Sequence, residues 1–210
     1  MPDSLLNVAL PKGRLGDKVH ALFSEIGYGC ALYGDPGRKL VIKDEAAGLS
    51  YFLVKPTDVP IYIEQGVADI GVVGKDILLE TNPDVYELLD LGLGKCRVAL
   101  CGPKDFSLRR NAAVRVATKY VNITKNYLAS KYLDSEVIKL SGSIELAPIL
   151  GLSDVIVDIV ETGSTLRENN LEVLEEILPV SARLIANKAG YKFKYDMIAE
   201  LTEKLKGVIT

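Results

Sequence analysis

Residues 154–166 read DVIVDIVETGSTL, from Asp154 to Leu166, and their order decides the fold class. Val155, Ile156 and Val157 make an apolar run suited to a buried strand. Two acids, Asp158 and Glu161, end it, and a turn of small hydroxyl residues around one glycine follows: Thr162, Gly163, Ser164 and Thr165. Leu166 opens a helix-like stretch, so the segment is a strand–turn–helix unit, the repeating part of an α/β protein. Such a turn aims backbone N–H groups and hydroxyls at a phosphate, and the dipole of the following helix favours the negative charge. The acids would repel a bare phosphate, but they accept hydrogen bonds from sugar hydroxyls. A ribose 5-phosphate is the simplest ligand that satisfies both parts. The plain alternative is a strand-to-helix turn with a Thr or Ser cap.

Outward from this unit, strand and helix patterns alternate along the chain. Residues 6–10 read as a strand, 11–14 as a loop, and 15–26 as a helix with Val19, Leu22, Phe23 and Ile26 on one stripe. Strands are expected at 40–42 and 51–54, and a helix from Asp58, as its cap, through Gln65, with Pro60 in its first turn. Residues 70–73 read as a buried strand, 75–80 as a short helix, and 85–89 and 97–101 as strands either side of Gly92 and Gly94. A second alternating set follows: strand 115–118, helix 123–132, strand 137–140, helix 144–150 and strand 155–158. Residues 180–187 read as a further strand. A terminal amphipathic helix over 192–206 carries Met197, Ile198, Leu201 and Leu205 on one side. Repeated βα units imply an α/β fold with parallel-rich sheets flanked by helices. The glycines near 92–94 and the late return to strand suggest two lobes. Residues 1–93 plus 178–210 would form a discontinuous lobe I, and 94–177 a lobe II that carries the phosphate turn, with the ligand between the lobes.

The 210 residues suffice for one large domain or two small α/β lobes. With 48% apolar and 25% charged residues, the composition is that of an ordinary soluble protein. A net charge of −3 with scattered Lys and Arg argues against a nucleic-acid surface, while small phosphorylated ligands stay open. No membrane-spanning run or signal-peptide pattern is seen, so a cytoplasmic location is expected. Cys30, Cys96 and Cys101 lack metal-ligand spacing and are expected to be reduced thiols. His20 is the sole histidine, expected half-exposed on an early helix, which leaves no strong candidate for a nucleophile–histidine pair or a histidine-based metal site.

Further segments carry candidate chemistry. Lys12, Gly13 and Arg14 follow the first strand directly, where a forked guanidinium and a point-charge ammonium suit pyrophosphate or triphosphate oxygens; a solvated basic turn is the alternative. Lys55 ends another strand and could reach the same ligand, and Arg38 lies in a Gly/Pro-rich loop. Ser141, Gly142 and Ser143 form a second small-residue turn. They would offer N–H donors, with Glu145 an acceptor for a sugar hydroxyl or a magnesium-bound water, unless the turn is a simple Ser cap. Residues 58–76 read largely as architecture, with Gly74 a possible lining residue.

With both loops in view, the chain resembles the ATP phosphoribosyltransferase family, the first enzyme of histidine biosynthesis. The match runs from Glu145 through Gly151, Ser153, Asp158, Thr162, Gly163 and Thr165 to Leu166, a specific pattern. Residues 10–14, 57–76 and 92–102 match too, so the resemblance covers nearly the whole chain. It implies the two-lobed fold of type II periplasmic binding proteins. It also implies condensation of ATP with 5-phosphoribosyl 1-pyrophosphate (PRPP) to N1-(5-phosphoribosyl)-ATP and pyrophosphate, with Mg²⁺. By the same resemblance, Ser141, Gly142, Ser143, Glu145, Asp158 and 161–165 bind PRPP. Lys12, Gly13, Arg14, Arg38, Lys55 and Gly74 bind ATP and pyrophosphate, and Arg14, Lys55 and Asp158 act in catalysis. The chain stops where long members continue into a histidine-binding domain. The resemblance is therefore to the short form, which implies a homodimer within a hetero-oligomer whose regulatory subunit resembles histidyl-tRNA synthetase. One departure stands out: related short-form sequences usually carry arginine where this chain has Lys55, which keeps the charge and loses the fork.

Two other readings fit parts of the pattern. Salvage phosphoribosyltransferases also join acids to a Thr-Gly-x-Thr turn, but usually place two acids side by side, whereas Ile159 follows Asp158 here. A solute-binding module of the same two-lobed fold would suit residues 58–74 but has no use for the phosphate turn.

Overall fold

The computed structural model describes residues 5–31, 33, 39–45, 47–107 and 113–209. In chain order the elements are β1 (Leu6–Pro11), α1 (Arg14–Glu25), β2 (Val41–Asp44), β3 (Leu49–Val54), α2 (Val59–Glu64), β4 (Ile70–Gly74), α3 (Lys75–Thr81), β5 (Tyr86–Asp90) and β6 (Cys96–Pro103). They continue with β7 (Val114–Thr118), α4 (Val121–Ser130), β8 (Ser135–Lys139), α5 (Leu146–Ile149), β9 (Val155–Val160), α6 (Ser164–Glu168), β10 (Leu171–Val180), β11 (Ala182–Ala186), α7 (Lys188–Phe193) and α8 (Tyr195–Val208). The chain is a mixed α/β protein in two compact units. The first comprises the described residues up to Leu78, Asn82–Gly94 and those from Ser181 onward; the second comprises Leu79–Thr81 and Lys95–Val180. No helix among the described residues is long and apolar enough to cross a membrane.

The first unit holds a sheet in the order β2-β3-β1-β4-β11-β5, parallel at its centre (β3-β1-β4) and antiparallel at both sides. Alternation along β1 sends Leu6, Val8 and Leu10 into a core with Val19 and Phe23 of α1 and with Ile198, Leu201 and Leu205 of α8. Ala9 faces the other way, toward Val59 and Ile63 of α2. Helix α1 lies close against the end of β1: a Cβ on Gly16 would fall 2.0 Å from the Pro11 carbonyl oxygen, so no larger residue fits there. His20, half-buried on α1, stacks on Tyr33 with ring centroids 3.8 Å apart, and its Nε2 accepts the Cys30 N–H at 3.0 Å.

The second unit holds the sheet β10-β6-β9-β7-β8, with β9-β7-β8 parallel and β6 and β10 antiparallel. Its two faces are covered by different helices. Val155 and Val157 of β9 pack with Ile123, Tyr127 and Leu128 of α4. Ile156 and Val160 pack on the opposite side with Ala147 of α5 and Leu166 of α6. The period of two therefore puts Asp158, between Ile156 and Val160, on the α5/α6 face. The start of β9 is fixed to β7 by the Arg115–Asp154 pair at 2.7 Å, whose hydrogen bonds hold the Asp154 carboxyl below the usual carboxylate range.

Several local expectations change. The strand expected at 155–158 runs on to Val160, so Asp158 sits inside β9 and not at its end. The helix expected over 144–150 is the single turn α5, with Pro148 inside it. Asp58 holds the N-cap position of α2 without a side-chain cap bond; its Oδ1 accepts the Thr57 hydroxyl instead. The terminal helix is two, α7 and α8, meeting at Lys194. Strand β10, a ten-residue element, falls where no strand was expected.

Candidate functional site

The turn after β9 is built by its own side chains. Gly163 sits at φ +70°, the left-handed region that L residues reach only at a cost, and this reverses the chain between β9 and α6. The Thr162 and Ser164 hydroxyls stand 3.2 Å apart, and Thr162 Oγ1 accepts the Ser164 N–H at 3.4 Å. Arg167, one turn along α6, donates from Nη1 to the Thr162 carbonyl at 3.0 Å, and the Asn169 amide donates to the Thr165 carbonyl at 2.8 Å. With its carbonyls held from behind, the turn keeps a fixed shape. Helix α6 spans only Ser164–Glu168. A single turn carries little macrodipole, so main-chain N–H groups and hydroxyls supply the anion affinity of this turn more than the helix field does.

Residues 158–166 line a cavity of about 270 Å³ together with Glu145 and Ile156. The cavity joins both halves of the chemistry read in the sequence: the small-residue turn with its hydroxyls, and three carboxylates, Glu145, Asp158 and Glu161. Asp158 Oδ1 accepts the Ile159 N–H at 2.7 Å and meets Lys119 Nζ at 3.2 Å. Beside it on β6, burial first, and then the Asp158 carboxylate, push the Cys101 thiol up to about 12. That thiol is not a nucleophile at neutral pH. Among the described residues no group of three or more His, Cys, Asp or Glu side chains is arranged to hold a metal ion. The three cavity carboxylates are oxygen donors fit to contact a magnesium ion carried on a ligand's phosphates, but they are not arranged to cage one.

Glu145, Asp158, Glu161, Thr162, Gly163, Ser164 and Thr165 are thus brought to one cavity. Ser141, Gly142 and Ser143 are exposed on the turn before Glu145 and are not among its lining residues. In the first unit, the parallel register of β1 with β3 pairs Pro11 with Val54, and the Lys12 N–H donates to the Val54 carbonyl at 2.8 Å. Lys12 and Lys55 therefore leave adjacent strands at the same sheet edge, where Gly13 and Arg14 lead into α1 and Gly74 ends β4. Lys12, Arg14 and Lys55 are exposed. Arg38 lies outside the described residues. Two residues that contact the cavity's lining escaped the sequence reading, Lys119 against Asp158 and Arg167 behind Thr162. The signal for Lys119 was its place directly after a strand, as with Lys12 and Lys55; for Arg167 it was the fifth position after Thr162, within reach of the turn's carbonyls.

Comparison with known proteins bears on this geometry. Residues 55–207 match the sequence model of the family described as ATP phosphoribosyltransferase. A protein of that name from Brachyspira hyodysenteriae is 58% identical over 206 residues, covering 98% of this chain and 100% of the relative. Another from Lachnoclostridium phytofermentans is 51% identical over 209 residues, covering 98% of this chain and 97% of the relative. The ATP phosphoribosyl transferase (HisG:HisZ) complex from Thermotoga maritima contains a chain that matches with a TM-score of 0.84 at 39% identity, covering 98% of both chains.

Proposed function

Given that the chain belongs to the ATP phosphoribosyltransferase family, whose reaction opens histidine biosynthesis, we propose that residues 161–165 hold the 5-phosphate of PRPP and Asp158 its ribose hydroxyls. What supports this most is that Asp158 and the Thr162–Gly163–Ser164–Thr165 turn line the same cavity, so a carboxylate and a set of N–H and hydroxyl donors face one small ligand. Glu145 is a further acceptor there for a sugar hydroxyl or a magnesium-bound water. Ser141, Gly142 and Ser143 would add N–H donors from the neighbouring turn.

In the reaction, adenine N1 of ATP displaces pyrophosphate from the anomeric carbon of PRPP. Adenine N1 is unprotonated at neutral pH, so the displacement needs no strong general base. That accords with His20 being committed to Tyr33 and Cys30. The work of the protein is then placement and charge. Asp158 and Glu161 favour the positive charge that grows on the ribose ring as the bond to pyrophosphate lengthens. Lys12, Arg14 and Lys55, with Gly13 and Gly74 giving close backbone approach, take the ATP phosphates and the departing pyrophosphate. Arg38 is assigned with them on sequence alone. Magnesium, bound to pyrophosphate oxygens, would screen their charge.

A cytoplasmic enzyme is the natural setting for these substrates. A regulatory subunit resembling histidyl-tRNA synthetase is the proposed partner, with the chain a homodimer inside the hetero-oligomer. The HisG:HisZ assembly of the Thermotoga maritima relative supports a separate partner chain. The direct test of the turn is Thr162→Ala. The apparent KM for PRPP is expected to rise at least about tenfold, the scale of a lost hydrogen bond to a charged group. An unchanged KM would remove the turn from the site.

A further inference from the structure

We propose that Lys119 is a positioning residue for Asp158, holding its carboxylate in the one orientation that meets the PRPP ribose; this rests on the assignment of the cavity to PRPP. Thr118 of β7 stands opposite Val157 of β9 in parallel register, so Lys119, the next residue, arrives beside Asp158. The Thr118 hydroxyl donates to the Val157 carbonyl at 2.7 Å and accepts the Tyr120 N–H at 2.8 Å, which fixes the main chain on both sides of Lys119. Lys119 Nζ and the Ile159 N–H both contact Oδ1, at 3.2 and 2.7 Å, so the carboxylate is gripped by one oxygen and neither contact uses Oδ2.

The charges around Asp158 give this pair its importance. Glu145 and Glu161 line the same cavity, so a cation on Asp158 lowers the negative charge that a phosphorylated ligand meets there. On β6, Arg97 is engaged with Glu176 at 2.8 Å, and Cys101 is a neutral thiol. Arg167 faces the turn's carbonyl. Lys119 is a cation placed directly on Asp158, at 3.2 Å. Its side chain is 42% exposed, and an exposed ion pair adds little to stability, so its removal should leave the fold intact.

The test uses the full chain, with its partner subunit where activity requires it, and reads PRPP affinity by calorimetry alongside kinetics. Lys119→Met is expected to weaken PRPP binding roughly tenfold, the scale of one charged hydrogen bond, and Lys119→Arg to recover most of it. In an Asp158→Asn background the Lys119→Met loss should shrink below about twofold, because the partner is gone. Unchanged affinity in Lys119→Met, or a full loss that persists beside Asp158→Asn, would overturn the pairing. Thr162→Ala, measured in parallel, separates the two claims. If it weakens PRPP while Lys119→Met does not, the positioning role fails alone; if neither does, the assignment of the cavity fails as well.

Discussion

Arg167 braces Thr162 from behind the turn: its Nη1 donates to the Thr162 carbonyl at 3.0 Å while the Thr162 hydroxyl sits 3.2 Å from that of Ser164 on the other side. A main-chain carbonyl held this way cannot swing into the space where an anion would sit. Arg167→Ala should therefore loosen the turn without removing any of its donors. The KM for PRPP is expected to rise by roughly fivefold, the worth of about 1 kcal/mol for one net hydrogen bond, with kcat little changed. Steady-state kinetics check it; a fall in kcat with unchanged KM would assign Arg167 a different part.

Arg14 is expected to matter through charge and not through packing, since its side chain is exposed at the start of α1. Arg14→Ala should lower kcat/KM for ATP by a decade or more, about 1.5–3 kcal/mol for a charged hydrogen bond. Normal kinetics would return it to the role of a solvated turn residue.

The fit of α1 against β1 gives a stability prediction. Gly16→Ala sets a Cβ 2.0 Å from the Pro11 carbonyl oxygen, and backbone atoms must part to admit it. Overpacking of this kind typically costs about 1–3 kcal/mol, or a Tm loss of roughly 2–12 °C in a chain of this size. Because Lys12 and Arg14 lie between Pro11 and Gly16, the KM for ATP should rise in the same variant. Thermal melts and kinetics together check it, and an unchanged Tm would mean that α1 is not held as described.

His20 makes stability depend on pH with a definite sign. Burial lowers its pKa from the ordinary value of 6.5, and the Asp17 carboxylate opposes the shift without overcoming it. The unfolded chain therefore takes the proton more readily than the folded one. The stabilisation is present above the unfolded value near 6.5 and is lost as the pH falls below it. Melting curves between pH 8 and pH 5.5 should show a falling Tm, and His20→Gln should flatten that fall. Equal slopes in both proteins would contradict the assignment.

Much of this was readable from local pattern. Apolar runs such as Val155–Ile156–Val157 and Leu6–Leu10 announce strands because consecutive residues face covered sides of a sheet, and both lie in β9 and β1. The turn of Thr162, Gly163, Ser164 and Thr165 was legible because its chemistry is carried by neighbours in sequence. Strand β10 was not. Among the described residues it pairs only with β6, at the sheet edge, and two register shifts, at Val173/Glu175 and Glu176/Leu178, break the alternation of LEVLEEILPV. Lys119 was hidden for a different reason. A lone lysine after a strand looks solvated until the β7–β9 register, a long-range fact, sets it beside Asp158. The length of α5 was overestimated because Leu146, Ile149 and Leu150 read as an apolar helical stripe, yet all three are exposed and the helix ends after one turn.

The most direct test of the central claim follows backbone amides of the isotope-labelled full chain by NMR while PRPP and Mg²⁺ are added. Amides of Thr162, Gly163, Ser164 and Thr165 should shift most, saturate together, and lose their response in Thr162→Ala. Saturable PRPP binding that moves amides elsewhere and leaves these four unperturbed would contradict it.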